Sequence, residues 1–327
     1  MKQKSIYLIY DTVNCMPNGD PDSREQRYDE ISKKAIVSDL RIKRFGRDML
    51  NVLGMPVYYF YDKETIFVGD KSITGAEARF NEYCEKNNIK IKNKKNKDGI
   101  NAHTILLREF IDVRIFGGVL TAKENNAHVT GALQFDAENK TINDVLLGKN
   151  LINRGITTIF PSNDSNEQGS IGRDSYIRYG LFCIKGRFDA TVAKLNGCSD
   201  KDLTLALTAI WNRIKTINTR SKFGHEPIAC IVIEHPTKEV KNGFITNPFS
   251  ISYNPFTIKT DCKLSDIYNR KDYEFDFTPL KDSVKNDKNV ENVTIYCDNN
   301  DFIEKHFNDL PNNCKIVNPF DELLSLI

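Results

Sequence analysis

The chain has no long apolar run. Nothing approaches the ~20 consecutive apolar residues of a bilayer crossing, and Met1-Lys2-Gln3-Lys4-Ser5 lacks the apolar segment of a secretory signal. A cytoplasmic location is expected, with no membrane among the partners. The eight cysteines (Cys15, Cys84, Cys183, Cys198, Cys230, Cys262, Cys297 and Cys314) form no C-x-x-C pair and no His/Cys cluster. That leaves a zinc site and a redox dithiol without support, and buried free thiols as the default. Neither G-x-x-x-x-G-K-[ST] nor G-x-G-x-x-G occurs, so nucleotide hydrolysis and dinucleotide binding lack a signal. The histidines (103, 128, 225, 235 and 306) have no nucleophile at a recognisable spacing, and polar surface roles suit them better than catalysis. No metal ligand set and no cofactor is expected.

An excess of one charge is missing too. Across 327 residues, 46 Lys and Arg meet 44 Asp and Glu, a net of +2, so composition alone does not announce a polyanionic partner. The distribution is uneven. Residues 263–327 hold 8 basic and 13 acidic residues, net −5, which leaves 38 against 31, net +7, in residues 1–262. With 40% hydrophobic residues against 28% charged, the chain can bury a substantial core, and disorder is excluded as its general state.

Ser5-Ile6-Tyr7-Leu8-Ile9-Tyr10 reads as a central buried strand. The polar stretch 14–34, with Pro17, Asn18-Gly19-Asp20 and Pro21, has loop chemistry, and long loops are often functional. From Ser38 to Leu53, Ile42, Phe45, Met49 and Val52 recur at helical spacing, and Gly54 closes the helix. Val57-Tyr58-Tyr59-Phe60-Tyr61 reads as a strand completing a β-α-β unit. A second unit follows much later: strand Tyr176–Ile184, a helix opened by a Ser199/Asp202 capping box, and strand Ile228–Ile233. Two such halves predict an α+β fold, an RRM-like (ferredoxin-like) sheet carrying insertions within residues 1–262. The six lysines from Lys86 to Lys97 lie in a finger-like insertion (about 62–105), as a solvated loop or as a finger over a polyanion. Ile111–Phe116 reads as another strand. Residues 121–175, ending in the polar Pro161–Ser170 stretch, suggest a projecting, thumb-like hairpin. Residues 263–327, with one strand at Val293–Cys297, read as an acidic elaboration of the same domain.

On a helical wheel Lys43, Arg44 and Arg47 lie opposite the apolar stripe, with Arg41 at its edge, making a cationic face suited to phosphates. Asn14, Asn18, Asp20 and Arg24 sit in the adjoining loop, and Arg114, Arg220 and Lys222 add cations elsewhere. Asp20, Asp22 and Asp29 invite a metal reading, but their spacing matches no calcium loop and turn formation accounts for most of them. The RRM stacking signature is absent.

These residues resemble a known family. Asn14-x-x-x-Asn18-Gly19-Asp20-Pro21-Asp22 followed by Ile36-Val37-Ser38-Asp39-Leu40-Arg41-Ile42-Lys43-Arg44 is similar to the N-terminal signature of the CRISPR-associated backbone subunit of Cascade, the seventh Cas family. Asp112–Gly117, Thr130–Phe135, Tyr179–Phe182, Ala209–Asn212 and Thr219–Lys222 resemble its type I-B branch in order, over residues 5 to about 235. The resemblance implies a hand-shaped subunit with an RRM-like palm, fingers and a thumb, polymerising as a helical filament along one CRISPR RNA. It also implies target DNA and other Cascade subunits as partners, with sequence read by base pairing rather than by the protein. Type III backbone subunits, which cut target RNA with an acid in the loop after the first strand, are similar in fold. This chain departs from them where Ile36–Arg41 replaces their Gly-Ser-rich helix start. No chemistry of its own is expected.

Overall fold

The computed structural model describes residues 1–59, 67–68, 71–72, 75–92, 97–122, 125–158, 170–240, 243–245, 250 and 252–327. Seven strands form the main sheet: β1 (Lys4–Cys15), β2 (Leu133–Phe135), β3 (Leu151–Thr158), β4 (Ser170–Phe188), β5 (His225–Glu234), β6 (Asn292–Tyr296) and β7 (Cys314–Val317). The helices used below are α1 (Asp39–Val52), α2 (Ala76–Lys86), α3 (Ala102–Glu109), α4 (Ile111–Phe116), α5 (Ala190–Asn196) and α6 (Asp200–Thr216).

β1 is central because it can be buried on both faces. Ile6, Leu8 and Tyr10 pack toward α1 and α6, while Tyr7 and Ile9 face a second core with Phe256, Ile267, Tyr273 and Phe277. It pairs antiparallel with β4 on one edge and β5 on the other. Ile177 of β4 is opposite both Cys15 and Leu151, and Phe188 is opposite both Lys4 and Leu133. β3 and β2 therefore share the β4 edge that β1 leaves open. Beyond Ile177, β4 runs on with β3 alone, from Leu151↔Ile177 to Thr158↔Ser170. This hairpin extends past the end of β1.

α1 starts where Ser38 accepts a hydrogen bond from the Arg41 amide, and α6 where Ser199 and Asp202 close a reciprocal capping box. The two helices bury Ile42, Phe45, Met49, Ile210 and Ile214 in one core on the sheet. Val52, expected in that stripe, is 67% exposed; Leu50 is buried in its place.

Two expected strands are absent. Val57 to Tyr59 form no strand, and Phe60 and Tyr61 lie outside the described residues. The apolarity of that run serves a satellite core, where Tyr58 packs with Phe80, Ile105, Leu106 and Phe110 of the helical insertion. The amides of Tyr58 and Tyr59 donate to the carboxylate of Asp112, not to a neighbouring strand. Ile111–Phe116 is helix α4 and turns into the Gly117–Ala122/Asn125–Thr130 hairpin at Gly117, whose φ of +88° favours glycine. The strand that follows α1 in the sheet is β2, some 80 residues downstream of the helix by sequence number.

The region 62–105 includes α2 and the first half of α3. Within the lysine-rich segment, Lys90 and Lys92 are tied by backbone hydrogen bonds to Ile100, and residues 93–96 lie outside the described set. The region 121–175 includes the end of one hairpin, all of β2 and β3 and the start of β4; the stretch 161–169 lies outside the described residues. Residues 263–327 supply β6 and also a parallel neighbour, β7. They are clamped to β1 by buried Asp11, whose carboxylate accepts from Arg270 Nε (2.6 Å), Arg270 Nη2 (2.9 Å) and the Tyr179 hydroxyl (2.9 Å). Cys262 is exposed, against the buried default, whereas Cys15, Cys84, Cys198, Cys230 and Cys297 are buried.

Candidate nucleic-acid interface

Where β1 ends, a cleft of about 700 Å³ opens between three segments. Asn14, Cys15 and Met16 form one side, Arg154, Asp174, Ser175 and Tyr176 at the base of the β3–β4 hairpin form another, and Thr219, Arg220 and Ser221 form the third, with Arg24 reaching in from the 14–34 loop. That loop is anchored to the hairpin. The Gln26 amide donates to Ser175 Oγ at 2.9 Å, Ser175 Oγ donates to Asn153 Oδ1 at 2.7 Å, and Asn153 Nδ2 donates to Glu25 Oε2 at 2.9 Å.

Two lining residues have strained backbones. Among the described residues four non-glycines have positive φ, and Asn14 (+49°) and Arg24 (+60°) both lie here. Asparagine tolerates this conformation; arginine does so at a cost, which the surrounding contacts must sustain. Arg24 is exposed, with no side-chain partner among the described residues. Asp174 lies between two other cations, 3.0 Å from Arg220 Nη2 and 3.5 Å from Arg154 Nε, while the Arg154 guanidinium lies 5.4 Å from the Tyr176 ring centre. One carboxylate thus serves two guanidiniums, and the cleft is net positive.

Behind its floor is a second group of cations, buried Lys222 and half-buried Arg41. Lys222, 8% exposed, donates from Nζ to the Met16 carbonyl. Burial, reinforced by the Arg41 guanidinium, pushes its ammonium down to about 7. Burial likewise lowers Arg41 to about 10, its guanidinium sits 4.0 Å from the Phe45 ring centre, and its Nε and Nη2 have no hydrogen-bond partner among the described residues. His225 was expected at the surface but is buried, stacked on Tyr10 at 5.8 Å. Burial lowers it to about 3, so it is neutral; its Nδ1–H donates to the Lys222 carbonyl at 2.7 Å, and Nε2 lacks a partner among the described residues. The buried Tyr10 hydroxyl is also unpartnered among them. Asp48 offsets part of the Arg41 charge, but no carboxylate among the described residues pairs with Lys222, and a cation held out of water is costly unless an anion joins it.

The cationic face read from the helical wheel is not an open face. Lys43 is 6% exposed and bonds Asp39 (2.9 Å) and Gln134 (2.7 Å); Arg44 pairs with Asp48. Arg47, 8% exposed, donates to fully buried Asp112 at 3.0 Å and lies over the Tyr59 and Phe116 rings. Arg114 donates to the Leu107 and Arg108 carbonyls and to Asp202, joining α3, α4 and α6. The wheel shows which side a residue faces, not what the insertion stacks against it. Asn18 is buried, and its Oδ1 accepts from the Ser38 amide and hydroxyl, each at 2.8 Å, at the start of α1. Asp20 is held below the usual carboxylate range by the Ser23 and Asp22 amides, with Arg27 at 3.3 Å. Asp29 is lowered by Lys140 and Ser32. Among the described residues no cluster of three or more His, Cys, Asp or Glu suits a metal.

Of the residues singled out from sequence, the fold brings Asn14, Arg24 and Arg220 into the cleft and Arg41 and Lys222 behind it. Asn18, Asp20, Lys43, Arg44, Arg47 and Arg114 are engaged elsewhere. Arg154, Asp174 and Tyr176 were not foreseen; the antiparallel register Arg154↔Asp174 makes their cluster, and only a hairpin reading of Ile152–Arg154 against Asp174–Tyr176 reveals it.

An α+β sheet protein with a cation-lined cleft at the end of its central strand is the class defined by this architecture. The family model described as CRISPR-associated protein Cas7 matches residues 2–278, so the chain belongs to that family. A CRISPR-associated protein Cas7 of Haloferax volcanii is 24% identical over 267 residues, 76% of this chain and 74% of that protein. A chain of a solved CRISPR RNA-guided surveillance complex in a pre-nicking state shares the fold with a TM-score of 0.51 and 14% identity, covering 99% of each chain. A chain of another CRISPR RNA-guided surveillance complex does so with a TM-score of 0.51 and 12% identity, over 99% of this chain and 98% of that one. No helix among the described residues is long and apolar enough to cross a membrane.

Proposed function

We propose that this chain is a guide-RNA-binding backbone subunit of a type I Cascade surveillance complex, gripping the sugar-phosphate backbone in the cleft at the end of β1. The observation that carries the reading is the pair of buried Lys222, which has no carboxylate partner among the described residues, and half-buried Arg41, whose Nε and Nη2 are unpartnered among them, behind a cleft lined by Arg24, Arg154 and Arg220. A phosphate in the cleft relieves that unpaired charge, and phosphate contacts position a strand without reading its sequence. Lys43, Arg44, Arg47 and Arg114 hold the fold, not the RNA.

The finer reading follows from the same frame. The order β2-β4-β1-β5, with α1 after β1 and α6 after β4, is that of a ferredoxin-like, RRM-like palm. The helical insertion of about 62–105 acts as fingers and the β3–β4 hairpin within 121–175 as the thumb. Copies side by side form the filament, and base pairing between guide and target DNA reads the sequence. We hold the subunit to be non-enzymatic, since Asp20 and Asp29 are held in turns by backbone amides and cations rather than aimed jointly at one point. The test is to purify the chain from cells, sequence co-purified RNA, and incubate the complex with magnesium or manganese and target RNA. The expected result is guide-like RNA of discrete length and intact target. Nucleic-acid-free protein that binds no added RNA, or cuts that vanish in Asp20→Ala or Asp29→Ala, would overturn the reading.

A further inference from the structure

Phe223 is 76% exposed, the most exposed aromatic side chain among the described residues. It does not sit on a slack loop. The amides of Lys222 and Phe223 both donate to the Thr219 carbonyl at 2.9 Å, Met16 donates to the Ser221 carbonyl at 3.0 Å, and Val13 donates to the Gly224 carbonyl at 2.8 Å. Gly224 lies so close to β1 that a Cβ there would meet the Val13 carbonyl oxygen at 1.8 Å. The residue before Phe223 is anchored inward through the Lys222 ammonium, and the residue after it lies flush against β1. The fold thus fixes both neighbours and presents the phenyl ring to water. Thr219, Arg220 and Ser221, just before it in the same turn, line the cleft, with the Arg220 side chain 69% exposed, and Gly224, just after it, is hydrogen-bonded to Val13 of β1, itself 40% exposed.

A rigidly presented aromatic at the rim of a cationic cleft is the pairing of features that binds single-stranded nucleic acid: cations follow the phosphates and the ring takes a base face. We infer that Phe223 is a base-stacking platform for a nucleotide of the RNA strand lying in the cleft, with Val13 completing its apolar surface. The inference rests on the RNA-binding reading above. Any base has a face to stack, so the contact is indifferent to sequence. It adds affinity that salt does not screen, in contrast to the arginines.

The test uses the full chain and an oligouridylate of about eight nucleotides, within the usual site size of such clefts. Phe223→Ala and Phe223→Leu should each weaken binding by about tenfold with the salt dependence unchanged, and Phe223→Trp should restore it. The chain's single tryptophan, Trp211, is 1% exposed and gives a constant background, so emission from the Phe223→Trp variant should be quenched as RNA is added. Arg220→Ala, by contrast, should lower the salt dependence. If the unaltered chain binds no RNA, the functional reading fails and this inference with it. If it binds while Ala and Leu variants match it and Phe223→Trp stays unquenched, the stacking inference alone fails. Variants that bind RNA normally but no longer self-associate would assign Phe223 to a contact between copies and equally overturn stacking.

Discussion

Two sets of cations lie within one molecule: Lys43, Arg44 and Arg47 on α1, and Arg24, Arg41, Arg220 and Lys222 around the end of β1. The first set is supplied with partners by the chain itself, in Asp39, Asp48, Asp112 and Gln134. Among the described residues the second has Asp174, shared by Arg220 with Arg154, Asp48 acting through space on Arg41 without a hydrogen bond, and no carboxylate on Lys222. The sign of the charge is the same in both sets; what separates them is whether the fold provides the counter-charge. Where it does, a cation is part of the core. Where it does not, the counter-charge must come from outside.

That contrast predicts opposite phenotypes. The largest effect belongs to the internal set. Asp112→Ala leaves Arg47 buried and unpaired and removes the acceptor of the Tyr58 and Tyr59 amides, so stability should fall by about 3–5 kcal/mol in denaturant unfolding. Its folded fraction should bind RNA with an unaltered salt slope. A variant as stable as the parent would break the assignment of Arg47 to the core.

Next in size is Gly224→Ala, which forces the 219–224 turn off β1. RNA affinity should drop by about tenfold or more while α1 and α6 stay packed, as near-ultraviolet circular dichroism of buried Trp211 reports. Unchanged affinity would remove that turn from the site.

Arg41→Ala should weaken RNA binding and reduce the salt slope by roughly one unit, without the stability loss of Asp112→Ala, because no hydrogen-bonded partner is orphaned. A fall in stability to match would place Arg41 with the internal set.

The smallest effect is a pH dependence. Lys222 is lowered from its ordinary range to about 7, so the unfolded chain holds a proton that the folded chain lacks between about 7 and the ordinary lysine value, and stability rises with pH across that window. A bound phosphate favours the charged form. RNA affinity should therefore fall as pH rises through about 7, by up to about tenfold per unit, and Lys222→Met should flatten the curve. The groups facing Lys222 do not titrate there: burial holds His225 at about 3, Arg41 at about 10 and Cys15 up at about 12. A flat profile in the unaltered chain would contradict the placement of its ammonium near the strand.

Local signals carried the elements that local chemistry determines. The Ser38 cap, the Ile42/Phe45/Met49 stripe, the Ser199/Asp202 box and the two-faced β1 are all readable because their causes lie within a few residues. The failures have non-local causes. Tyr58 and Tyr59 look like strand residues until Asp112, more than fifty positions away, takes their amides. Ile111–Phe116 is rich in β-branched residues, yet its burial against α6 and the insertion holds it as a helix. β2 is three residues long, too short for periodicity, and its place in the sheet is fixed by β4 alone. In the cleft, Asn14, Arg24 and Arg220 were recognisable as polar or basic residues in loops, but Arg154 and Asp174 face each other only through hairpin register. That Lys43 is buried with an acid partner and Lys222 is buried with only a carbonyl was equally invisible, since partners, not sequence neighbours, decide both.

The central claim is tested most directly by the salt dependence of RNA binding in two double variants. Replacing Arg24 and Arg220 by alanine should lower the slope of log affinity against log salt by about two units, whereas replacing Lys43 and Arg44 should leave it unchanged. A slope that falls with the helix pair and holds with the cleft pair would contradict the account.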